Sequence, residues 1–272
     1  MSAPKVSVVL VAATWREGAQ RTLDALAAQS AAGSIEVVVA DLAQPGTTPL
    51  GLPHDVPTTV IPCSGRSWAE ARAEAVRQAR GEVVAFIEDH CIPARDWAEV
   101  LIEAHRGPWA GVGYAFASAT PEHRLARSAL IADYGAWAHP TRPGPVRHLP
   151  RNNVSYKRDA LLSVDGPLEA RLEVALTLHQ QLLERGMALY VEPRVLVAHE
   201  NLASLAVACR ASFAFCRLLA AERVRSGAWG WPRRIVWGLA TPLGAPSLTS
   251  VGSPPGGARA TLAGRTSSRV FR

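Results

Sequence analysis

Nothing in this chain suggests paired cysteines. Cys63, Cys91, Cys209 and Cys216 contain no CxxC spacing, so neither a zinc ribbon nor a disulfide-stapled scaffold is indicated, and a reduced, cytoplasmic setting is expected. Long apolar runs are also missing. No stretch reaches the ~18 uncharged apolar residues that a spanning helix needs, and the best candidate, 202–221, is broken by Arg210 and Arg217. The N-terminus offers one lysine and a short strand-like run, without the longer apolar core and cleavage site of an export signal. Charged residues are scarce, 19% against 48% hydrophobic, which excludes a disordered or coiled-coil chain and points to an ordinary globular core. Acids are scarcest at the end. From residue 201 onward ten arginines face the single acid Glu222, a net of +9, so the first 200 residues carry −3 of the overall +6.

What is present begins with alternation. Residues 6–12, 35–40, 56–62 and 82–87 are short, β-rich runs, and the first, second and fourth are apolar on both faces. Such runs mark strands covered on both sides. Helical spacing separates them at 18–29 and 68–80, the latter stopped by Gly81. Strand and helix in turn predict a mostly parallel, doubly wound sheet with right-handed crossovers. Further on, helices are expected at 97–105, 124–137 and 172–185, and strands at 111–119, 153–156 and 189–198. The Pro-rich stretch 141–150 reads as a loop near a binding site. Three units follow from this pass: an α/β domain over 1–200, basic amphipathic helices over 201–240, and a Gly/Pro/Ser-rich, disordered tail over 241–272.

Ligands in open α/β sheets bind outside the carboxyl ends of the strands. Asp41 ends the second strand and Glu88-Asp89-His90 ends the fourth, so they should line one crevice. In an extended segment Glu88 and His90 point one way and Asp89 the other. A carboxylate and an imidazole on one side form half of a divalent-metal site that suits Mn²⁺ better than Mg²⁺. His199, at the end of another strand, becomes a further ligand if the fold brings it to His90. A solvated strand end and a lone surface histidine are the plainer alternatives.

In this order, VSVVLVAATWREG, IEVVVAD, AEARAEAVRQARGEVVAFIEDH, RNNVSYKRDAL and LEVALTLHQQLLERGMALYVEPRVLVAH resemble the family 2 glycosyltransferases over roughly residues 5–200. The resemblance implies a GT-A-like fold and transfer of a single sugar from a nucleotide-sugar, UDP-linked by preference, with inversion. It implies Asp41, Arg72 and Asp89 at the donor, and Glu88, His90 and His199 at a metal. It also implies Glu173 as general base and Asn152 and Asn153 on the acceptor side. Departures are plain: His90 stands for the last acid of Asp-x-Asp, and Leu172-Glu173 stands for Glu-Asp. The Gln-x-x-Arg-Trp motif of processive synthases is absent, so single addition is expected. A non-catalytic donor-binding relative is the competing reading. A nucleotidyltransferase would carry a Gly-rich phosphate loop where Ala12-Ala13-Thr14 stands.

The basic segment joins arginines to Phe213, Phe215, Trp229, Trp231 and Trp237. That mixture suits an anionic membrane surface, which would place the enzyme peripherally on the inner face near a lipid-linked or other hydroxyl acceptor. Packing of these helices on the catalytic core is the alternative. No nucleic-acid reading motif is present.

Overall fold

The computed structural model describes residues 3–201 continuously and scattered positions between 209 and 236. The four expected strands form: β1 (Val6–Ala12), β2 (Ile35–Asp41), β3 (Thr58–Pro62) and β4 (Val83–Glu88). They pair in parallel in the order β3-β2-β1-β4. The crossover helices are α1 (Arg16–Ala27) and α2 (Trp68–Gln78). Ser67 starts α2 through a capping box. Its hydroxyl accepts the Glu70 backbone N–H at 3.2 Å, and its own N–H donates to the Glu70 carboxylate at 2.8 Å, which satisfies two orphan donors of the first turn.

The rest of the sheet is mixed. β5 (Cys91–Pro93), helix α3 (Trp97–Ala104), β6 (Trp109–Ser118), helix α4 (Arg124–Tyr134), β7 (Gly144–Val146) and β8 (Val154–Lys157) follow in turn. Helices α5 (Arg158–Leu162), α6 (Leu168–Glu173) and α7 (Ala175–Glu184) lead to β9 (Ala188–His199). β8 lies antiparallel between β4 and β6, β9 is parallel to β6, and β5 and β7 pair antiparallel with β9. The mostly parallel α/β sheet expected from alternation is therefore formed, with β8 reversing direction at its middle.

Alternation along each strand fills both faces. Val6, Val8, Leu10 and Ala12 pack with α1, α3 and Tyr134, while Val9 and Val11 pack with α2, Leu178 and Leu182. Two polar side chains interrupt this. Ser7 donates to the buried Glu36 carboxylate at 2.6 Å, and Arg80 also binds Glu36. Burial pushes the Glu36 carboxyl up, but the Ser7 and Arg80 hydrogen bonds outweigh it and hold it below the usual range.

Two expectations are corrected. The stretch 141–150 is not wholly a loop, because β7 adds a short strand to the edge of β9. The helix expected over 172–185 is two helices, broken at Val174, which has extended backbone angles. Among the described residues no helix is long and apolar enough to cross a membrane. The tail at 241–272 lies outside the described residues, as does most of 201–240.

Candidate active site

Strand ends deliver the polar residues that buried strands cannot hold. Asp41 ends β2, Glu88 ends β4 and His199 ends β9, while Asn152 and Asn153 precede the reversed β8 and so arrive at the same end of the sheet. The expected crevice is built there, with Glu88 at its centre. Its Oε1 accepts the Asn152 amide at 2.5 Å; its Oε2 accepts the Asn153 amide at 2.5 Å and the Tyr134 hydroxyl at 2.8 Å. Asn153 grips the same residue twice, since its Oδ1 also accepts the Glu88 backbone N–H at 2.9 Å.

Two imidazoles complete the cluster. Nε2 of His199 lies 3.5 Å from Glu88 Oε2 and Nε2 of His90 lies 3.9 Å from it. The rings meet edge to face with centroids 4.6 Å apart. Each is oriented from behind. His90 Nδ1–H donates to the Asp89 carboxylate at 2.9 Å and His199 Nδ1–H donates to the Asn201 side-chain amide oxygen at 3.1 Å. The chain turns at Asp89–His90, so Asp89 does not simply point to the opposite side but folds its carboxylate onto His90. The Trp15 indole stacks on His90 at 6.0 Å between centroids, with the Arg21 guanidinium over the indole.

Charge follows from these contacts. Burial pushes the Glu88 carboxyl up, yet His90, His199 and the Tyr134 hydroxyl prevail and hold it well below the carboxylate range. Burial alone would lower His90, but Glu88 and Asp89 raise it. Arg72, buried on the Phe86 ring at 5.6 Å, is lowered to about 10 by desolvation, with Glu88 acting the other way. It remains a cation at neutral pH.

The donor set fits a divalent cation. With both Nδ1 atoms carrying hydrogen, both Nε2 lone pairs face a carboxylate oxygen, an arrangement that calls for a proton or a cation between them. Metal-bound histidines commonly donate their other ring N–H to a carboxylate or amide oxygen in this way. The Cys91 thiol lies with Glu88 and His199 in a group whose donor atoms are all within 4.8 Å of one another. Burial pushes that thiol well above its usual range, so it stays neutral.

The other expected residues fall into place unevenly. Arg72 lies beside the cluster, within the electrostatic reach of Glu88. Asn152 and Asn153, expected on the acceptor side, both donate to the Glu88 carboxylate. Asp41 is bound in a two-pronged ion pair by Arg16, at 2.7 Å and 3.1 Å. Glu173 is the last residue of α6 rather than the start of a helix, half-buried, and has no hydrogen-bond or ion-pair partner among the described residues. Tyr134, Trp15 and Arg16 were missed. Tyr134 carried no signal in its helical spacing, whereas Trp15 and Arg16, at the turn from β1 into α1, sit where strand ends place ligand groups.

Three comparisons bear on this geometry. The family model "Glycosyl transferase family 2" matches residues 7–161. A search of the curated proteins finds no match. Among solved structures, the mannosyltransferase PcManGT from Pyrobaculum calidifontis, in complex with GDP-Man and Mn²⁺, is 18% identical with a TM-score of 0.53, covering 89% of this chain and 81% of that one. A structure of S. aureus TarS is 17% identical with a TM-score of 0.48, and the chain spans only 37% of its length. The first likeness supports the fold, and the match over more than half of the sequence supports the family: the chain belongs to the family 2 glycosyltransferases, enzymes acting on nucleotide-sugars through a GT-A fold.

Proposed function

We propose that the chain moves one sugar from a UDP-linked donor to an acceptor hydroxyl, with inversion and with help from Mn²⁺. The observation behind this reading is the convergence of His90 Nε2 and His199 Nε2 on the Glu88 carboxylate at the carboxyl ends of the strands. A divalent ion held by Glu88, His90 and His199 would neutralise charge developing on the departing diphosphate. Imidazole ligands favour Mn²⁺ over Mg²⁺.

The chain's own residues do the rest. Arg72 places a desolvated positive charge beside the cluster, where it attracts phosphate oxygens. Asp89 fixes the His90 ring through Nδ1, and Asp41 reads the base. Glu173 takes the acceptor proton as the hydroxyl oxygen bonds to the anomeric carbon and the diphosphate leaves from the opposite side, which inverts that centre. Asn152 and Asn153 act on the acceptor side through their hold on Glu88.

Calorimetric titration of UDP, GDP and dTDP, with Mn²⁺ or Mg²⁺, on wild type and His90→Ala tests the reading. Mn²⁺-dependent binding of UDP that is lost in His90→Ala is expected. Absence of nucleotide binding under every metal condition overturns it.

The basic segment supports peripheral attachment. Phe213 and Trp231 are 65% and 71% exposed and Val236 is 61% exposed, among arginines that suit anionic lipid. Flotation with anionic vesicles should carry the full chain up and leave the Phe213→Ser/Trp231→Ser variant behind. Equal flotation of the two refutes attachment through this segment.

A further inference from the structure

Asp41 is already engaged before any ligand arrives. Its Oδ1 accepts Arg16 Nη1 at 2.7 Å and the Ala43 backbone N–H at 3.0 Å, and its Oδ2 accepts Arg16 Nη2 at 3.1 Å. Arg16 is itself tied through Nε to the Thr48 carbonyl at 3.1 Å. The guanidinium is thus fixed between the end of β2 and the segment that follows it. With side chains 14% and 20% exposed, the pair is mostly covered and offers one edge to the crevice.

Lone-pair geometry decides what that edge can take. An ionised carboxylate has about four acceptor directions, and a guanidinium has five N–H groups. Three of Asp41's directions are filled. The one left is on Oδ2, beside the outer N–H groups of Arg16 that Asp41 and Thr48 do not use.

We propose that Arg16 is a specificity-determining residue that acts through Asp41 on the donor base. It leaves one acceptor next to one donor, the complement of the imide edge of uracil or thymine, where N3–H is flanked by a carbonyl. A bare carboxylate would instead receive guanine's N1–H and N2–H together, one on each oxygen. Arg16 occupies the fork that this chelate needs, so guanine is left with an unpaired exocyclic N–H. Unpaired buried donors are costly. The inference rests on the proposed role of Asp41 as the residue that reads the base.

Calorimetry of UDP and GDP on the full chain with Mn²⁺, comparing wild type, Arg16→Ala and Arg16→Lys, tests it. Wild type should prefer UDP. Arg16→Ala should shift the UDP:GDP affinity ratio toward GDP by about tenfold or more, the scale of one two-pronged base contact. Arg16→Lys keeps the charge but loses the fork, and should shift the ratio in the same direction; it also carries the test if Arg16→Ala does not fold. An unchanged ratio in variants that still bind nucleotide overturns the proposal, as does equal loss of both affinities or a wild type that prefers GDP. If wild type binds neither nucleotide, the reading of Asp41 and the proposed function fall together.

Discussion

Replacing Asn153 with alanine isolates the grip on Glu88. Asn153 is fully buried and makes three hydrogen bonds: to the Glu88 carboxylate, from the Glu88 backbone N–H, and to the Tyr134 hydroxyl oxygen at 2.8 Å. The first is charge-assisted, and such bonds contribute about 1.5–3 kcal/mol each. Loss of the second leaves a buried N–H without a partner, at a cost of about 1–3 kcal/mol. The third matters less, because Tyr134 still donates to Glu88. These terms share one neighbour and do not simply add, so a loss of about 3 kcal/mol is expected for Asn153→Ala. For a domain of this size that lowers Tm by roughly 6–12 °C. Asn152→Ala removes one charge-assisted bond at the half-buried rim and should cost about 1.5 kcal/mol. Urea denaturation at neutral pH, read for both midpoint and slope, measures both variants. A smaller loss for Asn153→Ala than for Asn152→Ala would refute the reasoning, since the buried double contact would then contribute nothing that the rim contact does not.

Three more outcomes follow from contacts already described. His105 and His179 are buried and pushed down to about 3, and the Leu149 N–H donates to Nδ1 of His179. The unfolded chain therefore takes up protons that the fold refuses, so stability present above the ordinary histidine value of about 6.5 is lost as pH falls toward 3; at pH 5 each contributes a loss of about 2 kcal/mol. His179→Gln should flatten that acid limb in a stability-versus-pH series, and an unchanged limb contradicts the assignment. Gly18→Ala would set a Cβ 2.5 Å from the Asp89 carbonyl and 2.9 Å from the Trp15 ring. The gain in helix propensity of up to about 1 kcal/mol should be outweighed by overpacking of about 1–3 kcal/mol, and thermal melting with Mn²⁺ titration should show lower Tm and weaker metal binding together. Ser67→Ala removes the capping box of α2 and should cost about 1 kcal/mol without altering nucleotide binding.

The parallel half of the sheet was legible because three of its four strands, β1, β2 and β4, are short runs apolar on both faces, too short for the helices that separate them. The meeting of Asp41 and Glu88 at one end followed from that topology. His199 could not be placed from spacing, because its position depends on β9 lying between β6 and β5, a choice made by long-range packing. The break at Val174 also escaped, since no glycine or proline marks it; the Asp165-Gly166-Pro167 turn, with Gly166 at φ 81°, was the available sign that a separate helix begins at Leu168. Polar residues within apolar runs were the hardest. Ser7 and Glu36 look like faults in β1 and β2 until Arg80 joins them. Asn153 likewise reads as loop polarity until its carboxylate partner is seen.

The reach of Glu88 has an evolutionary consequence. Strand β4 carries the carboxylate, helix α4 and the chain before β8 each extend a side chain to it, and the spacing of all three is set for glutamate. An aspartate here, the residue with which the family's metal motif usually begins, would end one methylene short of Tyr134 and Asn153. Positions 88, 134 and 153 therefore form one heritable unit. Descendants of this sequence should exchange the three together or keep them together, and an alignment of its near relatives should show paired changes at these sites and independent drift at Asn152.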